Sequence, residues 1–208
     1  MSDVKVYGLQ ASSYTWSVKM ALAEKGVDYD FVHAEPHSGE QVARHPFGKV
    51  PAFSHGDVHI FETMAILPYV DEAFDGPPLS PGNAAGRAEM NQWLSATNDY
   101  LYPTAVVGVV IPRLVYAPRG IAIDEAAIAK AASRSREILG VFDKALAGRA
   151  WMAGENFTLA DILLAPIASY LGFVPEGAKL VEGYDNLQRF TKAVSQRASF
   201  GASAPRFG

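Results

Sequence analysis

The amino-acid sequence predicts a small α/β unit followed by an all-helical one. Three observations predict it. Strand-like and helix-like patterns alternate through the first third of the chain in the order β-α-β-α-β-β-α. A segment rich in proline and glycine, Asp75–Gly82 (DGPPLSPG), then interrupts them. Beyond it only helical spacings recur. The expected domains are residues 1–76 and 84–208.

The first strand runs from Val4 toward Leu9 and ends at Gly8. A helix follows, because Tyr14, Val18, Ala21, Leu22 and Lys25 share one face at spacings of three and four, and Gly26 supplies the C-terminal stop. Asp28 to Val32 alternates polar and apolar residues, as a second strand does. After a polar stretch comes HPFGKVPAF, His45 to Phe53, in which Val50-Pro51 suits a cis-proline turn leading into a strand. SHGDVHIF, Ser54 to Phe61, places a Gly-Asp turn between two short strands. Glu62-Thr63 opens the next helix, Met64 to about Phe74. Past the linker, helical patterns cover roughly Ala85–Val115, Glu125–Leu146, Leu159–Leu171 and Leu187–Ala193. The third is announced by TLAD, a capping-box variant with Asp161 in the acidic place.

Bulk properties narrow the function. The chain has 208 residues, 49% hydrophobic and 19% charged, which is ordinary globular composition. Net charge is −4 and the pI near 5.7, with no lysine or arginine cluster, so nucleic acid is not an expected partner and anionic membrane surfaces are disfavoured. No apolar run approaches the ~20 residues of a membrane span, and the start has no signal-peptide pattern, so a cytoplasmic location is expected. Cysteine is absent. That removes disulfides, thiolate metal sites and a cysteine nucleophile, and any thiol used must arrive with a ligand. As zinc ligands His55 and His59 (H-x3-H) would need two or three more donors, so no metal is expected. No G-x-S-x-G elbow, phosphate loop or dinucleotide fingerprint occurs.

The candidate chemistry lies where the first strand meets the first helix. A helix start offers amide donors and a partial positive charge. Ser12 and Ser13 add hydroxyls there. A thiol of pKa about 8.5 is only a few per cent ionised at pH 7; lowering it by ~2 units takes about 2.7 kcal/mol of differential stabilisation. An O–H···S⁻ bond together with the helix end can supply that. Val50 beside a cis proline would leave its backbone able to pair with a peptide-like ligand. Glu62 and Thr63, at a second helix start, suit an α-amino acid end, and Lys49 suits a further carboxylate. Each residue also has a plain structural role open to it, as cap, loop proline or solvated lysine. Taken together they describe a ligand with a thiol, an extended backbone, an amino-acid end and a carboxylate end. Glutathione fits.

The chain resembles the cytosolic glutathione S-transferases over nearly its whole length. VYGLQASSYTWSVKMALAEKGVDYDFV resembles the first β-α-β unit of their serine-type classes. HPFGKVPAF resembles the family's NPxGxVPxL segment, IFETMAILPYV its LxESxAIxxYL helix start with Thr63 in place of serine, and NFTLADILLAP its second-domain xxSxADxxLxP. The resemblance implies a thioredoxin-like domain followed by a helical one, with glutathione as co-substrate. It implies Ser12 as thiol activator, with Ser13 and Tyr7 as rivals. Lys49 would take the glycyl carboxylate, the Val50 backbone would pair with the ligand, and Glu62 and Thr63 would hold the γ-glutamyl end. The basic residues that phi-class members use in the preceding loop have no clear match here, and His37 and Gln41 are the stand-ins for them. Asp161 would be a folding residue. An electrophile pocket would be walled by Trp16, Tyr102, Val106, Val110, Arg113 and Tyr116, and Phe47 would be a homodimer contact. The zeta class, the maleylacetoacetate isomerases, also resembles this loop, but Tyr14 replaces its cysteine and Ser17 its arginine. A transferase acting on hydrophobic electrophiles is the first expectation. A zeta-type isomerase and a non-catalytic module of the same fold are the alternatives.

Overall fold

The computed structural model describes residues 2–205, which fall into two units. The second is Pro81–Ser195. Residues 2–80, and again 196–205, form the first.

In the first unit, β1 (Val4–Gly8), β2 (Asp30–His33), β3 (Ala52–His55) and β4 (Val58–Phe61) form one sheet in the order β2-β1-β3-β4. β1 runs parallel to β2 and antiparallel to β3, and β3 pairs antiparallel with β4. From the same stretch of chain come the helices α1 (Ser13–Lys25), α2 (Gly39–Arg44) and α3 (Thr63–Ala73). Strand alternation sends Val4 and Val6 to the covered face, where they join Val18, Leu22, Phe53, Ile66, Leu67 and Val70 in the core. Gly26 ends α1 at φ 69°, donating to Ala23 O while the Val27 amide donates to Leu22 O at 2.9 Å. Only glycine takes that backbone conformation freely.

α1 departs from the single apolar face expected of it. Ser13, Thr15, Trp16, Ser17, Lys19 and Met20 are buried as well. The reason lies at the other end of the chain. A last helix, α9 (Ala198–Ser203), packs on α1. The Arg197 guanidinium donates to both Glu24 oxygens (2.8 and 2.7 Å), the Ser199 hydroxyl donates to Glu24, and Phe200 lies 4.8 Å from the Trp16 ring. The expected second domain of 84–208 is therefore too long, because its tail belongs to the first unit.

The second unit opens with α4 (Ala84–Ala96), which continues without a break to Arg119. Thr97–Val110 and Pro112–Tyr116 take the wider π-helical turn, and Ala117–Arg119 a 3₁₀ turn. Pro103 and Pro112 each remove a donor from an i→i−4 ladder, and the helix passes both in the wider pitch. By length and composition this one helix could cross a membrane, although no continuous apolar run of that length is visible in the sequence. It packs on α5 (Glu125–Ala145) and α6 (Leu159–Leu171), burying Leu101, Ala105 and Val109.

α7 (Gly177–Val181) and α8 (Asp185–Ser195) complete the unit. Asp161 is fully buried in the first turn of α6 and accepts from the Met152 amide (2.7 Å), the Thr158 amide (2.8 Å) and the Thr158 hydroxyl (2.9 Å). Burial pushes its carboxyl up to about 6, against the pull of those donors.

Candidate functional site

Sheet register brings the site's segments together. Tyr7 pairs with Ala52, and Ala52 pairs with Phe61. The C-terminal end of β1, the N-terminal end of β3 and the C-terminal end of β4 therefore lie in a row along one end of the sheet. The turn carrying Ser12 leaves the first, Val50-Pro51 leads into the second, and Glu62 leaves the third.

Ser12 is the N-cap of α1, with φ −78° and ψ 125°. Its Oγ accepts from the Thr15 amide at 3.2 Å and its carbonyl takes the Trp16 amide at 2.9 Å. Capping uses the oxygen as an acceptor only. The hydroxyl proton has no acceptor among the described residues, so the side chain can donate to an anion while it still caps. The rivals are placed differently. Ser13 is buried (5% exposed) inside the first turn. Tyr7 points to the opposite sheet face from Val6, where its hydroxyl lies 3.4 Å from Ser54 Oγ and the Arg44 guanidinium sits 4.5 Å from its ring centre.

Val50-Pro51 is cis, as its sequence context suggests. Val50 makes no backbone–backbone hydrogen bond among the described residues. The loop before it is held from within. The Gln41 Nε2 donates to the Lys49 carbonyl at 2.6 Å, the His37 amide to the Gly48 carbonyl at 2.8 Å, and the Gly48 amide to the His45 carbonyl at 2.7 Å. Lys49 itself is exposed. Glu62 caps α3 at φ 69°, a left-handed conformation rare outside glycine, and makes no side-chain capping bond. Its carboxylate is half-exposed, whereas Thr63 is buried in the first turn.

Several sequence expectations need correction. Gln41 is fully buried and clamps the Lys49 carbonyl, so it shapes the loop and is no surface contact for a ligand. His37 is exposed beside Gly48, with its backbone in the left-handed region at φ 62°. Trp16 is core, only 3% exposed; its indole N–H donates to the Ser203 hydroxyl at 3.0 Å, so it cannot wall a pocket. Arg113, expected in the pocket wall, is ion-paired instead: it donates to Glu125 at 2.7 and 2.6 Å and to Glu176 at 2.9 and 2.5 Å, so its charge is met within the helical unit. Val106 and Val110 are buried within the helical unit, Tyr102 is partly exposed, and Tyr116 is exposed on the same helix. Burial raises the Tyr102 phenol above its usual value. Phe47 is 66% exposed.

His55 Nδ1 lies 3.0 Å from the Tyr69 hydroxyl, and among the described residues no group of three or more His, Cys, Asp or Glu is placed to hold a metal. One residue escaped the sequence reading. His45 is buried, with its Nε2 3.8 Å from a Glu62 oxygen. Its place in HPFGKVPAF, directly before the first proline, was the available signal.

Comparison with known proteins agrees with this geometry. The family model "Glutathione S-transferase, N-terminal domain" matches residues 2–72, and "Glutathione S-transferase, C-terminal domain" matches 97–198. Glutathione S-transferase F6 of Arabidopsis thaliana is 30% identical over 207 residues, covering 96% of this chain and 98% of its own. Among solved structures, glutathione S-transferase III in its apo form superposes with a TM-score of 0.89 at 31% identity, covering 99% of this chain and 98% of that one. A glutathione-bound transferase of Methylobacillus flagellatus gives 0.82 at 26% identity, covering 98% and 100%. With both of its units matched and the site segments gathered at one end of a four-stranded mixed sheet, the chain belongs to the glutathione S-transferase family and is an enzyme of that family.

Proposed function

We propose that the enzyme binds glutathione along the end of its sheet, keeps the thiol ionised with the Ser12 hydroxyl, and conjugates it to hydrophobic electrophiles. The observation that carries this reading is the Ser12 side chain, which caps α1 with its oxygen and retains a proton to donate. The Val50 backbone pairs with the cysteinyl portion of the ligand, Lys49 takes the glycyl carboxylate, and Glu62 with the Thr63 turn takes the γ-glutamyl end. The glutathione-bound Methylobacillus relative supports the choice of ligand.

In the reaction the thiol proton passes to solvent, and the thiolate attacks the electrophilic carbon. A C–S bond forms, and with an aryl halide the halide departs with its bonding pair. Tyr102 and Tyr116, the two of the expected helix residues that are not buried, remain the candidate wall for the electrophile, whereas Val106 and Val110 are core like Trp16. A homodimer contacting through Phe47 and a cytoplasmic location belong to the same proposal. The isomerase reading is disfavoured, because a dicarboxylate substrate needs an available cation and Arg113 is neutralised by Glu125 and Glu176. The F-class name of the Arabidopsis relative also favours phi over zeta.

Calorimetric titration with glutathione tests binding, and Glu62→Ala should weaken it severalfold. Unchanged affinity in that variant refutes the assignment of the amino-acid end.

A further inference from the structure

We propose that His45 is a positioning residue for Glu62: a buried imidazole, fixed as the Nε2–H tautomer, aims the Glu62 carboxylate at the amino end of glutathione. This rests on the reading of Glu62 given above and adds a part that nothing in the resemblance supplies.

The tautomer follows from geometry. The Phe47 amide donates to His45 Nδ1 at 3.3 Å, so that nitrogen is the acceptor and the proton sits on Nε2. Nε2 faces Glu62 Oε1 at 3.8 Å, and among the described residues it is the only ion-pair neighbour of that carboxylate within 4.0 Å. The ring cannot swing away. It is 2% exposed and packed against Phe61, the residue before Glu62, at 5.0 Å between ring centres. Its backbone is tied at both ends, the amide to Gln41 O at 2.8 Å and the carbonyl to the Gly48 amide at 2.7 Å.

Glu62, by contrast, has a half-exposed side chain and no capping bond. At 3.8 Å the pair stands just beyond hydrogen-bond length, and a carboxylate movement of about 1 Å closes it. One oxygen is then held from the protein side and the other is left for an ammonium.

Burial keeps the ring neutral near pH 7. Burial and the neighbouring Lys49 lower its pKa, Glu62 opposes them, and the net direction is down. Arg44, next in the chain, is turned onto the Tyr7 ring and lies 3.5 Å from Glu40. A neutral N–H donor steadies Glu62 without cancelling the charge that a ligand ammonium needs.

The test is a double-mutant cycle of His45→Leu and Glu62→Gln, with His45→Gln as the conservative rescue, read by steady-state kinetics and glutathione calorimetry. His45→Leu should raise KM and Kd for glutathione on the order of five- to tenfold with kcat within about twofold, the size of one net hydrogen bond. His45→Gln, which keeps an N–H, should recover most of that loss, and in the Glu62→Gln background His45→Leu should add nothing. An unchanged KM overturns the inference. So do equal losses in the Leu and Gln variants, which mark simple packing, and so does additivity with Glu62→Gln.

If wild-type enzyme binds no glutathione, or Glu62→Gln binds it normally, the reading of Glu62 falls first and this inference with it. If it is His45→Leu that fails to fold, ¹⁵N shifts of the wild-type imidazole decide. A protonated Nε2 that moves on adding glutathione supports the role, and a protonated Nδ1 refutes it.

Discussion

Ser12→Ala removes two functions at once, and they separate by pH. The first is the cap. Oγ no longer accepts from the Thr15 amide, which costs about 0.5–2 kcal/mol of stability at any pH where the enzyme is folded. The second is the O–H···S⁻ bond. A hydrogen bond to a charged group is worth about 1.5–3 kcal/mol, or roughly one to two pKa units of the bound thiol. Take a thiol lowered by ~2 units from about 8.5; losing ~1.5 units leaves it near 8. The thiolate fraction at pH 7 then drops from roughly three quarters to roughly a tenth.

Turnover with a model aryl halide should fall about eightfold at pH 7 and recover to within about twofold by pH 9, where both proteins carry mostly thiolate. Thiolate absorbance of the glutathione complex against pH measures the same shift directly. Ser12→Asp is the control, since aspartate caps helices as well as serine but donates nothing to sulfur. It should keep the thermal stability and lose the activity. The reasoning is refuted if the Ser12→Ala deficit is the same at pH 7 and pH 9, or if the complex titrates as wild type does.

Three other outcomes are expected. Asp161→Ala strands two amides and a hydroxyl in a buried turn and should destabilise the enzyme by about 3–5 kcal/mol, lowering Tm by roughly 10 °C in calorimetry. Burial raises the Glu24 carboxyl, but the Arg197 and Ser199 bonds outweigh it and hold its pKa below the ordinary value. A depressed folded-state pKa means stability that is present above the usual carboxylate range and lost as pH falls through the folded value. Glu24→Gln should therefore lower Tm at neutral pH, and the gap to wild type should close in acid. Phe47→Ser should shift the enzyme toward monomer in sedimentation velocity, and an unchanged species distribution removes Phe47 from the interface.

What the sequence showed, and what it hid, divides by range. β1, α1, the β3–β4 hairpin and α3 carry their signals within ten residues as alternation, a glycine stop and a turn dipeptide, and they lie where periodicity puts them. α7 and α9 have five and six residues, fewer than two turns, too short to show a period. α9 is also held by a bond to Glu24, 173 residues away, which no local pattern records. An ion pair is one reading open to Arg113; its partners, Glu125 12 residues on and Glu176 63 residues on, are what the structure adds. Trp16 reads as a pocket wall only until Ser203 and Phe200 are seen to cover it. Gln41 looks like a ligand contact because polar residues usually face water; it is buried because the carbonyl of Lys49 needs a donor.

The site residues that proved legible are those whose role is carried by the backbone or by a helix end, and that follows from how the site is built. Register alone sets Gly8, Pro51 and Glu62 side by side, so the groups proposed to bind glutathione hang from three strand ends fixed by the Tyr7–Ala52–Phe61 row. A one-residue slip would turn every side chain to the other face and break that row, so the same core that stabilises the sheet fixes the span offered to the tripeptide. The chemical step asks much less of the sequence, namely one alcohol proton at the front of one helix. Because that alcohol is also the helix cap, replacing it with a non-donor that still caps should leave a folded, glutathione-binding protein whose turnover at pH 7 is lower by about eightfold or more. A substitution that loosens the strand row should instead weaken glutathione binding while the pKa of whatever thiol still binds stays low.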